Sequence, residues 1–122
     1  MSIVENRYRG TKEYALVYAE LITAAKYRGT VTYQEIAQIM GLPLRGSHMG
    51  KEIGWILGEI SEDETTNGRP MLSAIAVNVQ LQPGPGFFTL ARQLGRLKEE
   101  NEDAFWEAER LRVYATWKVV LQ

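Results

Sequence analysis

The chain has 122 residues, 14 basic and 15 acidic side chains for a net charge of −1, no cysteine and one histidine, His48. Its length fits one compact domain with its own core. The missing cysteines exclude disulfides, a thiolate nucleophile and Cys-ligated zinc, and a lone histidine excludes a His-cluster metal site. No apolar run approaches the ~20 residues needed to span a bilayer, and the opening MSIVENRYRG lacks a signal-peptide core, so a cytoplasmic protein without a membrane partner is expected.

Residues 1–10 carry Arg7 and Arg9 beside Tyr8, an arm that is either solvated or in contact with DNA. From Thr11 the apolar residues Tyr14, Val17, Tyr18, Leu21, Ile22 and Ala25 recur at helical spacing, which predicts a helix over 11–28 capped by Thr11 and stopped at Gly29. Residues 30–60 then read as a helix-turn-helix. Thr32 and Glu35 form a capping box, with Ile36, Ala37, Ile39 and Met40 facing inward. Gly41 and Pro43 end that helix, Arg45 and Gly46 lie in the turn, and Ser47 is the expected N-cap of the second helix.

At ~100° per residue, Ile53, Ile56, Leu57 and Ile60 share the core face of this second helix. Gly50, Gly54 and Gly58 form a neighbouring stripe. Each weakens a helix by about 1 kcal/mol relative to alanine, so close approach of a protein or nucleic-acid backbone is expected there. His48, Lys51, Trp55, Glu52 and Glu59 lie outward. Trp55 is either an exposed contact residue or covered by the C-terminal helix.

Residues 61–70 (SEDETTNGRP) are polar and turn-rich and read as a surface loop. Residues 71–81 read as a buried strand. With the Pro83-Gly84-Pro85-Gly86 turn and Phe87-Phe88 they predict a wing hairpin over 70–90, Phe87-Phe88 alternatively opening a helix. Leu90, Leu94 and Leu97 suggest a short helix, and a long C-terminal helix is expected over 97–119. Phe105, Ala108, Leu111, Ala115 and Val119 would be on its core side, with Glu107–Arg110 as a surface pair.

Catalytic chemistry finds little support. Ser47 and His48 are sequence neighbours and point apart on a helix, the Pro83–Gly86 turn lacks the Lys and Ser/Thr of a phosphate loop, and the Glu62-Asp63-Glu64 cluster is either a metal site or a solvated run. No catalytic residue, cofactor or metal ligand is assigned. Between residues 26 and 58 the charges are Lys26, Arg28, Arg45 and Lys51 against Glu35 and Glu52, so the helix-turn-helix is the positive side of a polarised chain.

Val31-Thr32-Tyr33-Gln34-Glu35-Ile36-Ala37, then Lys51-Glu52-Ile53-Gly54-Trp55-Ile56-Leu57, resemble in order two segments of the winged-helix DNA-binding domain of O6-alkylguanine-DNA alkyltransferases and alkyltransferase-like proteins, while Ser73-Ala74-Ile75-Ala76, at the place of a third, departs from the family pattern. The resemblance implies a phosphate contact for Tyr33 and places Lys51 where the family has the arginine that fills the space of a flipped base. Lysine keeps the charge and loses the planar fork. Ala74 stands where the family has its alkyl-accepting cysteine, so self-alkylation is excluded. Pro70-Met71-Leu72-Ser73, Val77-Asn78 and Pro83-Gly84-Pro85-Gly86-Phe87 are closer to small bacterial and phage domains found alone or fused to HNH-type nucleases. That likeness implies that Asn78 and the glycine-rich turn bind nucleic acid or shape the wing; the alternative is that Asn78 caps the hairpin and Phe87 packs in the core.

The sequence is therefore read as one α+β domain over 1–122, a mostly helical, winged helix-turn-helix-like fold with a small β-hairpin and a long C-terminal helix. The expected function is non-catalytic binding of duplex DNA in a nuclease, repair or phage-defence system, with residues 47–58 in a groove. Tyr33, Arg45, Ser47, His48, Lys51, Trp55 and Asn78 are the expected contacts. The alternative is a protein-interaction adapter or dimerising accessory subunit meeting a nuclease or a second copy.

Overall fold

The computed structural model describes residues 4, 6–44 and 46–118. Arg45 and Val119, expected in the turn and on the terminal helix, lie outside the described residues. Helix α1 (Lys12–Lys26) starts where Thr11 accepts the Tyr14 N–H, and buries Val17, Leu21 and Ala25. Strand β1 (Val31–Thr32) leads into α2 (Tyr33–Met40). There Thr32 and Glu35 complete the capping box and Gly41 takes the left-handed C-cap at φ +73°.

Helix α3 (Ser47–Thr66) runs for 20 residues, six beyond the expected end at 60. The acidic segment is helix rather than loop because its carboxylates are answered by donors. Arg9 bridges Glu62 at 2.7 Å and Asp63 at 3.0 Å, Tyr14 donates to Asp63, and Glu64, fully buried, accepts from Tyr18 and from Arg69 at 2.7 Å. Burial and then the Asp63 and Glu64 carboxylates push both phenols, Tyr14 and Tyr18, well above the ordinary tyrosine range. The helix stops at Gly68, φ +75°, with the Arg69 N–H closing back on the Glu64 carbonyl.

The chain then crosses the core as a 3-10 turn (Leu72–Ile75) and strand β2 (Ala76–Val77), with residues 70–77 all buried. β2 pairs with β1 in parallel, Val31 opposite Ala76 and Thr32 opposite Val77. The expected wing hairpin over 70–90 is not formed. The two strands are joined through α2 and α3, a crossover that yields a parallel pair, and the chain after Val77 enters a loop and then α4 (Pro85–Gln93), with Pro85 at its first turn. Phe87 is buried on α4, as the core reading of that residue required.

Helix α5 (Glu102–Trp117) is capped by Asn101 and presents Phe105, Glu109, Val113 and Tyr114 to the core. Leu111 is 45 % exposed, so the inward face is turned away from the expected Ala108–Leu111–Ala115 line. Glu109 sets that face. Its carboxylate accepts from Arg96 at 2.6 Å, from the Met71 N–H at 2.9 Å and from Arg112 at 2.8 Å. Trp106 donates to the Ala74 carbonyl and Tyr114 to the Gly29 carbonyl, which locks α5 over the 3-10 turn and the end of α1. Glu107 and Arg110 form the expected surface pair. The domain is α+β and mostly helical, and among the described residues no helix is long and apolar enough to cross a membrane.

Burial alone would raise the Glu109 carboxyl, but its hydrogen bonds from Arg96, Met71 and Arg112 outweigh that and hold it below the ordinary carboxylate value. A group depressed in the folded state contributes stability above its unfolded pKa and loses it as pH falls through the folded one. Urea midpoints of the native chain should therefore fall below about pH 4. Glu109→Gln should cost about 3 kcal/mol at neutral pH by stranding Arg96, and its midpoint should fall less on acidification.

Candidate nucleic-acid interface

The N-terminal half of α3 projects from the core with Ser47, His48 and Lys51 exposed. Gly46, at φ +97°, occupies the N-cap and makes no side-chain cap bond, so Ser47 is the first helical residue rather than the expected cap. A left-handed glycine here turns the chain into the helix and leaves the Ser47 hydroxyl on the surface.

The glycine stripe divides in two. A Cβ at Gly50 or Gly54 would meet nothing within 4 Å, whereas one at Gly58 would lie 3.2 Å from the Val4 side chain. Among the described residues, the expected close approach of another backbone is thus absent at the first two positions. They floor an open groove of about 580 Å³, walled by Tyr33, Trp55, Phe87 and Leu90. The α4 wall was not legible from spacing, because nothing in 84–90 repeats in phase with α3.

Trp55 is half-buried, and its cover is the N-terminal arm: the Arg7 guanidinium stacks 3.5 Å from the ring centroid. Helix α5, expected as the alternative cover, packs against α1 and the 3-10 turn. The arm is pinned by Glu59, which is fully buried on α3. Its carboxylate accepts the N–H groups of Arg7 at 3.0 Å, Tyr8 at 2.9 Å and Arg9 at 3.1 Å. Tyr8 also donates its hydroxyl to Glu52, and burial followed by that carboxylate pushes the phenol up to about 12. Residues 7–9 of the arm are therefore neither free nor simply solvated. Sequence reasoning misses this, since helical spacing puts Glu59 outward and nothing in the arm's pattern announces three N–H groups converging on one carboxylate.

These contacts leave an electrostatic asymmetry. The acids of α3 that meet the arm and α1, the buried Glu59 and the partly buried Glu52, Glu62 and Asp63, are all engaged by them. Among the described residues no carboxylate reaches ion-pair distance of Lys51 or His48. No three His, Asp or Glu side chains among them converge as a metal-holding group either, Glu62-Asp63-Glu64 included.

The remaining expected contacts are placed differently. Tyr33 turns its hydroxyl to the Gly84 N–H, 2.7 Å away, and forms part of the groove wall. Burial raises this phenol more than the Gly84 bond lowers it. Asn78 shapes a loop: its Oδ1 accepts from the N–H groups of Gln80 and Gln82, and its own N–H donates to the Gln82 carbonyl. Ser47, His48, Lys51 and Trp55 are thus brought together on one helix, while Tyr33 and Asn78 support the ground beside it. Ala74 is fully buried, and its carbonyl accepts from Trp106. Comparison of the chain with protein-family models, curated proteins and solved structures returns no match.

Because Gly50 and Gly54 lie in an open helix interior, replacing either with alanine should stabilise the fold by about 0.5–1 kcal/mol, read as a higher urea midpoint. Gly58→Ala should gain less, since Val4 must give way.

Proposed function

We propose that this chain is a non-catalytic DNA-binding module, related in its helix-turn-helix segment to the DNA-binding domains of alkyltransferase-like proteins, in which the N-terminal half of α3 enters a groove of the duplex. The reading rests on one observation: the face of α3 that carries exposed Ser47, His48 and Lys51 is bordered by two glycines at which a Cβ would meet no described residue within 4 Å. A helix stripped of side chains along one edge lets a sugar–phosphate backbone approach closely, and the neighbouring Lys51, Ser47 and His48 supply phosphate or base-edge contacts. Trp55, already stacked by Arg7, braces the arm beside this face, and Tyr33 supports it from behind. Arg45 belongs to this proposal by its place in the sequence alone.

With a net charge of −1 the affinity is modest and salt-dependent. In a salt titration of duplex binding, Lys51→Glu should weaken binding about ten-fold at ~0.1 M salt and lower the salt slope by about one. Equal affinity and slope in both proteins would remove the proposal.

The groove itself favours a second reading. About 580 Å³ with an apolar wall from Trp55, Phe87 and Leu90 is of a size to accept bulky apolar side chains of a partner subunit or a second copy. Sedimentation equilibrium separates the two: a stable dimer abolished by Gly54→Leu, with no salt-dependent duplex binding, would select the adapter.

A further inference from the structure

Where a wing hairpin was expected, the chain forms a small closed loop. It is fixed at both ends to the start of α2. Val77 pairs with Thr32 before it, and the Gly84 N–H donates to the Tyr33 hydroxyl at 2.7 Å after it. Within it, Asn78 accepts the Gln80 and Gln82 N–H groups at 2.9 and 3.1 Å. The Leu81 N–H donates to the Asn78 carbonyl at 2.9 Å, and the Asn78 N–H donates to the Gln82 carbonyl at 2.8 Å.

This bonding holds two apolar side chains outward. Val79 is 67 % and Leu81 59 % exposed, and Leu81 sits at φ +63°, a left-handed conformation that leucine rarely adopts. Core packing does not account for a rigid loop that presents aliphatic groups to water at the cost of backbone strain.

The tip lies beside the proposed DNA-facing end. Asn78 and Val79 share a crevice of about 200 Å³ with Tyr33, Gln34 and Met49, which puts the loop next to the first turns of α2 and α3. The charge beside it also favours a polyanion: residues 78–82 carry no acidic side chain, and the exposed Lys51, which no carboxylate among the described residues reaches at ion-pair distance, is on the adjoining helix.

We propose that the 78–82 loop is an apolar wedge, with Val79 and Leu81 inserting at a base step beside the groove occupied by α3 and partly unstacking it. Aliphatic side chains act in this way in proteins that kink the duplex. The asparagine-bonded loop keeps the pair ordered before binding, so insertion carries little ordering cost. This inference rests on the DNA-binding reading and adds a second contact element to it.

The test uses the full chain and duplexes carrying 2-aminopurine at successive positions, with the double variant Val79→Ser/Leu81→Ser and with Lys51→Glu. Circular dichroism should show both variants folded, because the substituted side chains are exposed. The native chain should raise 2-aminopurine fluorescence several-fold at one step. The loop variant should keep the salt slope, lose the fluorescence rise and bind about ten-fold more weakly. Lys51→Glu should instead lower the slope. Salt-dependent binding by the native chain without any fluorescence rise, or with the loop variant unaffected, would overturn the wedge and leave the DNA-binding reading standing. Absence of salt-dependent binding would overturn both. Self-association that the loop substitutions abolish, with duplex binding unchanged, would assign the tip to a protein contact and likewise overturn the wedge.

Discussion

A buried carboxylate must have its acceptor sites filled, and in this fold that constraint decides where the outlying segments go. Glu59, Glu64 and Glu109 are fully buried. Glu59 collects the N–H groups of Arg7, Tyr8 and Arg9, Glu64 collects Tyr18 and Arg69, and Glu109 collects Arg96, Arg112 and the Met71 N–H. Each ties a distant piece of chain to a central helix. Desolvating a carboxylate costs several kcal/mol, so these ties hold only as complete sets. Removing one donor penalises the whole arrangement.

The surface is shaped by the same constraint. By drawing the arm onto α3, Glu59 sets Arg7 on Trp55 and brings Val4 against Gly58, so the groove has a wall at its far end and stays open at Gly50 and Gly54. The arm and α1 also engage the acids of α3 that meet them, leaving Lys51 and His48 as its exposed charged and titratable groups nearest the tip. A chain of almost neutral net charge thereby acquires a local cationic end. The loop built on Asn78 adjoins that end, so the polar, basic and apolar elements of the proposed interface converge through tertiary contacts.

The glycines illustrate how stability and binding can diverge. Gly50 and Gly54 cost helix stability and relieve no clash among the described residues. Gly41, Gly46 and Gly68, by contrast, occupy left-handed positions where a side chain would be strained. The second group is explained by the turns it makes; no contact among the described residues explains the first pair.

Local chemistry could be read directly from the chain. The Thr11 cap, the Thr32–Glu35 box, the left-handed stop at Gly41 and the apolar stripe of α1 each depend on neighbours within a turn or two. Tertiary structure decided the rest. Residues 61–66 look like a loop in isolation because their charges have no visible partners, and they are helix because Arg9, Tyr14, Tyr18 and Arg69 arrive from elsewhere. The apolar run after Pro70 reads as a hairpin strand, yet it pairs in parallel with Val31-Thr32, a partner no local pattern could name. The face of α5 is likewise set by Glu109, a residue that hydrophobic periodicity assigns to water. Capping and turn formation are local energies, whereas burial of charge depends on which donors the folded chain brings within reach.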